Sequence, residues 1–258
     1  MERKIYQKLL EWKNSDFRKP LILQGARQVG KTYIVNLFAG REYVNYVYCN
    51  FEKEKGLDEF FNDLNPLTIL HKLENYKRKE ILPKNTLIIF DEIQASPKAI
   101  TSLKYFCEDA SEYHVIALGS LLGVSVNREN FSFPVGKVQL LNMYPMDFEE
   151  FMVANNVSAT TLNMLEDKFK TASPVDEFIH KKLLSMFFVY LIVGGMPDAV
   201  KAYINTKDIR EVDKVQRDIT TLYKEDFSQY ELEDKKLKVK SIYEIIPAEL
   251  NKQNKKFV

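Results

Sequence analysis

The octet Gly25-Ala26-Arg27-Gln28-Val29-Gly30-Lys31-Thr32 constrains this chain more than any other stretch. It follows the apolar run Leu21-Ile22-Leu23, which suits a strand buried on both faces. It precedes Tyr33 to Ala39, where Ile34, Val35, Leu37 and Phe38 mark a helix and Gly40 stands as its expected C-cap. The order is therefore strand, glycine loop, helix. The octet fits the pattern G-x-x-x-x-G-K-S/T, in which glycines let the backbone curl until successive N–H groups face an anion. The following helix points its positive end at the same place. Gly25, Ala26, Arg27, Gln28, Val29, Gly30, Lys31, Thr32 and the adjoining Tyr33 are the expected phosphate-side contacts.

A second motif lies downstream. Leu87-Ile88-Ile89-Phe90-Asp91-Glu92 is an apolar strand that ends in two acids. Such a strand delivers its first carboxylate to the C-terminal edge of a sheet, where ligands of open α/β folds bind. Asp91 and Thr32 are expected to hold magnesium, Lys31 to reach the β- and γ-phosphates of ATP, and Glu92 to polarise the attacking water. The strand His114 to Leu118, ending at Gly119-Ser120, adds a polar side chain that can sense a γ-phosphate or serve a turn. Asn50, closing an earlier strand, reads as turn chemistry, with restraint of Glu92 as the alternative. The distance between the two motifs leaves room for a strand and helices between them. The acidic strand is then not the immediate neighbour of the loop strand. This is the P-loop division with an added strand and a catalytic glutamate. A GTPase is disfavoured, because no Asp-x-x-Gly follows the loop and no Asn-Lys-x-Asp is present.

The expected fold is α/β: a P-loop NTPase core with a parallel five-stranded sheet in the order 5-1-4-3-2, occupying residues 1–152. Residues 5–13 form a short amphipathic helix, with Ile5, Leu9 and Trp12 on one face. Tyr43 to Phe51 reads as a strand, 57–80 as helical, Ser96-Pro97 as a helix start, and Val138 to Met143 as the fifth strand. From residue 153 to 258 helical periodicity dominates, and the apolar stretch Leu183 to Met196 reads as a buried helix too short to span a bilayer. With 37 basic and 36 acidic side chains, no global field recruits nucleic acid or membrane. The basic runs at 77–79 and 235–256 are interleaved with acids and read as solvated faces. Two cysteines without paired spacing and no signal-peptide core suit a cytoplasmic protein.

Three segments carry a family resemblance: the octet, Phe90-Asp91-Glu92-Ile93-Gln94, and Met143-Tyr144-Pro145-Met146-Asp147-Phe148-Glu149-Glu150-Phe151. Together they resemble a prokaryotic AAA+-like ATPase family, in which the ATPase module is followed by a domain of unknown function. Gly194-Gly195-Met196-Pro197 and Gln216-Arg217-Asp218 are similar to the opening of that second domain. The resemblance implies nucleotide contacts at Lys31 and Thr32, acids at Asp91 and Glu92, and a sensor at Ser120. It also implies an arginine where Lys137 stands, a role for which Arg128 is the alternative. It further implies that the helical part leads into a winged-helix region, with a nuclease-like part beyond it in longer members. The leading expectation is an ATP-dependent switch that couples nucleotide state to a C-terminal effector or partner, DNA or protein, with oligomerisation allowed. The alternatives are a DNA translocase and a non-hydrolysing ATP-binding interaction protein.

Overall fold

The computed structural model describes residues 3–120, 133–229 and 233–251. One parallel sheet contains β1 (Leu21–Gly25), β2 (Asn45–Asn50), β3 (Thr86–Asp91), β4 (His114–Ser120) and β5 (Gln139–Asn142). Its order is β2-β3-β4-β1-β5, the expected order read from the other edge. Every residue of β3 and β4 is buried, as their unbroken apolar sequences require. β5 closes one edge and alternates between half-buried and exposed positions.

Side chains alternate across each strand, so two cores form. On one face Ile22, Val47, Cys49, Ile88, Phe90, Val115 and Ala117 meet Ile100, Leu103 and Phe106 of α4 (Pro97–Asp109) and Ile69 and Leu73 of α3 (Pro66–Lys77). On the other, Leu21, Leu23, Leu87, Ile89, Ile116 and Leu118 meet α1 (Ile5–Lys13) and α2 (Lys31–Glu42). This alternation positions the site. Gly25, Asp91 and Ser120 each lie two residues beyond a member of the second set, so all three fall on the α2 side of the sheet.

Local signals set most helix ends. Asn65 caps α3 by accepting from Leu67 and Thr68 N–H, and Ser96 caps α4 by accepting from Ala99 N–H; each has proline at the next position. Gly40 does not end α2, which continues to Glu42 and is closed at Tyr43. Gly40 has open space where a side chain would be, so nothing there forces the chain to turn.

The chain divides into two compact units, Met1–Val200 and Lys201–Val258. The first also holds α5 (Phe148–Ala154), α6 (Ala159–Lys170) and α7 (Glu177–Val193). α8 (Pro197–Thr206) runs through the division in sequence, and α9 (Ile209–Gln229) and α10 (Glu233–Leu250) form the second unit. There Lys224 pairs with Glu244 at 3.0 Å and Lys240 with Glu225 at 3.7 Å. The apolar run in α7 departs from expectation. It is no core helix: only Val193 is buried, while Phe178, Phe188, Leu191 and Ile192 are exposed.

Candidate functional site

The loop between β1 and α2 is shaped by two residues in the left-handed region, Gln28 (φ 64°) and Gly30 (φ 94°). Gly30 is the N-cap residue from which α2 begins at Lys31, and consecutive turns of this kind are what let loop N–H groups face an anion. Gly25 has no room for a side chain, since a Cβ there would collide with the Met143 carbonyl oxygen. Lys31 Nζ donates to the carbonyl oxygens of Gly25 at 2.8 Å and Ala26 at 2.9 Å, which holds its ammonium across the loop. Arg3 reaches the outside of the same loop and donates to Val29 O at 3.0 Å.

β3 brings its acids to this loop. Thr32 Oγ1 donates to Asp91 Oδ2 at 3.1 Å, joining the first turn of α2 to the end of β3. Asp91 is 5% exposed. Its Oδ1 accepts from Glu92 N–H at 2.9 Å, and its Oδ2 also accepts from the Tyr48 hydroxyl. Burial and the neighbouring Asp91 carboxylate hold that hydroxyl well above the usual tyrosine range, so it stays a donor.

Glu92 lies in the left-handed region (φ 52°) and heads the short 3-10 turn Ile93–Ala95. That conformation costs an ordinary residue about 1–2 kcal/mol. Gln94, on the same turn, donates from Nε2 to Glu92 Oε2 at 2.5 Å. Asn50 does not hold Glu92: its Oδ1 accepts from the N–H groups of Glu52 at 3.1 Å and Lys53 at 2.9 Å, which is turn chemistry. Ser120 is buried at the end of β4, in register with Gly25 on β1. Lys137 pairs with Glu108 at 2.8 Å, and Arg128 lies outside the described residues.

The oxygen set of Thr32 and Asp91 fits a magnesium ion. The ligands are hard, they lie within hydrogen-bonding distance of each other, and one carries a charge. Among the described residues no cluster of three or more His, Cys, Asp and Glu gathers.

Comparison with known families assigns the core. An AAA domain family matches residues 17–152, more than half of the chain. The chain belongs to the AAA domain family. A domain of unknown function, DUF8612, matches residues 185–257. No curated protein matches. Solved structures resemble the chain at low identity. The ORC2 protein of Aeropyrum pernix in its ADP form shares 16% identity over 59% of this chain and 49% of its own, with a TM-score of 0.38. The ORC1 protein of the same organism, in complex with DNA, shares 14% over 91% and 68%, with a TM-score of 0.43. Drosophila ORC bound to DNA shares 16% over 83% and 66%, with a TM-score of 0.44. The chain thus spans about half the length of the ORC2 protein it matches.

Around the AAA core, the segment 143–151 joins three parts of the first unit. Met143 N–H donates to Gln24 O at 2.8 Å, continuing β5 alongside β1. Met146 N–H donates to Gly195 O at 2.7 Å, and Tyr190 of α7 donates its hydroxyl to Met146 O at 2.9 Å. Gly195 must be glycine, because a Cβ would strike the Met146 backbone. Phe148 and Phe151 stack against Tyr190, with ring centroids 5.5 and 5.3 Å apart. Asp147 and Glu150 form a capping box for α5. Glu150 also accepts from Lys4 N–H at 2.7 Å and pairs with Arg3 Nε at 3.1 Å, both side chains nearly buried.

A cavity of about 440 Å³ lies between α1 and α2, bordered by Arg3, Tyr6, Tyr33, Leu37 and Arg41. Tyr33 stands one residue past Thr32 and its ring is exposed. No described helix is long and apolar enough to cross a membrane.

Three members of the site were not legible as such. Gln94 belongs to the Asp-Glu-Ile-Gln run, but its contact with Glu92 depends on a 3-10 turn. Tyr48 sits two residues before Asn50 on β2, so strand alternation alone would have aimed it at the same face. Arg3 carries no local signal: its contact with Tyr144 O at 2.7 Å joins residues 141 positions apart in sequence.

Proposed function

We propose that this AAA domain protein binds ATP with magnesium and hydrolyses it slowly, as a molecular switch coupled to a C-terminal effector or partner. The observation that carries this reading is the 3.1 Å contact of Thr32 with Asp91, which sets a glycine-loop helix against an acid-bearing strand. In this reading the N–H groups of the 25–32 loop and the Lys31 ammonium hold the phosphates. Thr32 and Asp91 hold the metal side, and Ser120, opposite Gly25, faces the terminal phosphate. Magnesium, when bound, offsets phosphate charge and makes the phosphorus more electrophilic. Glu92 orients a water for in-line attack and takes its proton at Oε1, since Oε2 is engaged by Gln94. Tyr33 and the cavity between α1 and α2 suit the base and ribose end.

The switch reading draws on the links of segment 143–151 to the loop-bearing strand and to α7. We read 1–152 as the ATPase domain and 153–258 as a helical domain leading into a winged-helix region. In the described residues every element after Asn142 is a helix. A DNA or protein partner, an oligomeric state and a cytoplasmic location belong to this proposal.

Two variants test it. Lys31→Ala removes a charge-assisted contact, worth about 1.5–3 kcal/mol, and should weaken ATP binding about ten- to hundredfold. Glu92→Gln should keep ATP binding and lower steady-state phosphate release about a hundredfold. Equal binding by Lys31→Ala and the unchanged protein would refute the phosphate assignment. A second reading, ATP bound without hydrolysis, is favoured by the Gln94 contact that occupies one oxygen of Glu92. It wins if phosphate release stays at background while ATP raises the melting temperature.

A further inference from the structure

The acids at the end of β3 are held by neutral donors. Asp91 accepts from the Thr32 hydroxyl, the Tyr48 hydroxyl and the Glu92 N–H, and Glu92 accepts from the Gln94 amide. No salt bridge to either acid occurs among the described residues. A guanidinium or ammonium there would cancel the charge that draws a cation. Hydroxyl and amide donors fix the carboxylates and leave the charge in place.

Tyr48 is the donor whose place the sheet dictates. β2 and β3 are parallel, with Tyr48 opposite Ile89 and Asn50 opposite Asp91. Tyr46 and Tyr48 pack on the α2 face, the face that carries Leu87, Ile89 and Asp91. The Tyr48 ring therefore lies along the sheet surface, and its hydroxyl arrives at Asp91 from the neighbouring strand. Asn50 Nδ2 donates to that hydroxyl at 3.3 Å, so the Tyr48 proton is directed onward to Asp91 Oδ2. Thr32 approaches the same oxygen from α2. A cation or its water that takes the Thr32 side leaves Oδ2 still fixed from the Tyr48 side.

We propose that Tyr48 is a positioning residue for the divalent cation: its hydroxyl holds Asp91 Oδ2 in the orientation that receives magnesium. Tyr48 does not touch the metal or the phosphates in this role. The inference rests on the nucleotide-and-magnesium reading of Thr32 and Asp91. Removing an outer partner of a metal ligand commonly weakens metal affinity about 10- to 100-fold.

The test uses the full chain and a fluorescent ADP analogue, so that hydrolysis does not intervene. Binding is measured in EDTA and across a magnesium titration, for the unchanged protein and for Tyr48→Phe. The substitution keeps the ring and deletes only the hydroxyl. The expected result is an unchanged affinity in EDTA and a magnesium midpoint raised about 10- to 100-fold. An unchanged midpoint overturns the inference. Equal loss with and without magnesium also overturns it, because the hydroxyl would then be supporting the pocket at large. If the unchanged protein binds the analogue with no magnesium dependence, the metal reading of Thr32 and Asp91 fails first. A failure confined to Tyr48→Phe leaves that reading standing.

Discussion

Gln94 Nε2 lies 2.5 Å from Glu92 Oε2, and both residues belong to one short turn at the end of β3. Glu92 enters that turn in a left-handed conformation, which by itself would leave its side chain a choice of rotamers. The amide removes the choice. Gln94 is 5% exposed, so its own position is fixed by the core. In the hydrolysing reading proposed above, with Glu92 as the base, Gln94→Ala should lower turnover about tenfold or more with little change in KM, since misplacing such a group by about 1 Å can cost up to a hundredfold. Steady-state kinetics read this directly. A rise in turnover would mean that the contact restrains Glu92 instead of aiming it.

Gly25 tests how tightly the loop is tied to segment 143–151. Its missing side chain lets the Met143 carbonyl approach, while Met143 N–H bonds to Gln24 O beside it. Gly25→Ala forces β5 and the loop apart. The cost should be about 1–3 kcal/mol of stability, with weaker nucleotide binding as well. Thermal melts with and without ATP separate the two effects. A variant with unchanged melting temperature would show that the 143 segment yields easily.

Arg3 and Glu150 form a nearly buried ion pair at 3.1 Å, and Arg3 also holds Val29 O and Tyr144 O. Removing one partner leaves the other charged and buried. Arg3→Ala or Glu150→Ala should each cost about 3–5 kcal/mol. The double variant should cost less than the sum, and a double-mutant cycle in urea measures the coupling. Additive losses would show that the two groups act separately. Lys4 with Asp147 and Glu149, half-exposed, should contribute under about 1 kcal/mol.

The strands and loop of the site were legible because burial leaves its mark in sequence. An apolar run that gives out just before Gly25, Asp91 or Ser120 specifies both a central strand and its exit point. The contacts that complete the site were not. Gln94 needs a left-handed residue before it, Tyr48 needs the β2–β3 register, and Arg3 needs segment 143–150 folded against it. The first depends on a local backbone conformation, and the other two on residues distant in sequence. α7 shows the opposite failure. Its apolar content was plain, yet apolar content does not say whether a partner surface exists, and most of its large side chains are exposed.

His114 gives the last prediction. Its ring is buried at the start of β4, with Nδ1 2.6 Å from the Tyr43 hydroxyl and Trp12 packed edge-on. Burial lowers its pKa from 6.5 to about 4, and the cations of Arg18, Lys13 and Lys84 act in the same direction. The native state thus keeps His114 neutral where the unfolded chain takes up a proton. Between those two values the unfolded state binds more protons, so stability rises with pH. The contribution is complete above about pH 6.5, falls as pH drops through the interval, and is gone near pH 4. Urea midpoints at pH 7, 5.5 and 4.5 should decline, after correction for the carboxylates by the same series on a variant lacking the imidazole. The chain has 3 histidines, so a proton NMR titration can follow each ring. One ring should stay neutral down to about pH 4. If all three titrated near 6.5, His114 would be solvated and the buried Tyr43–His114 contact would not form.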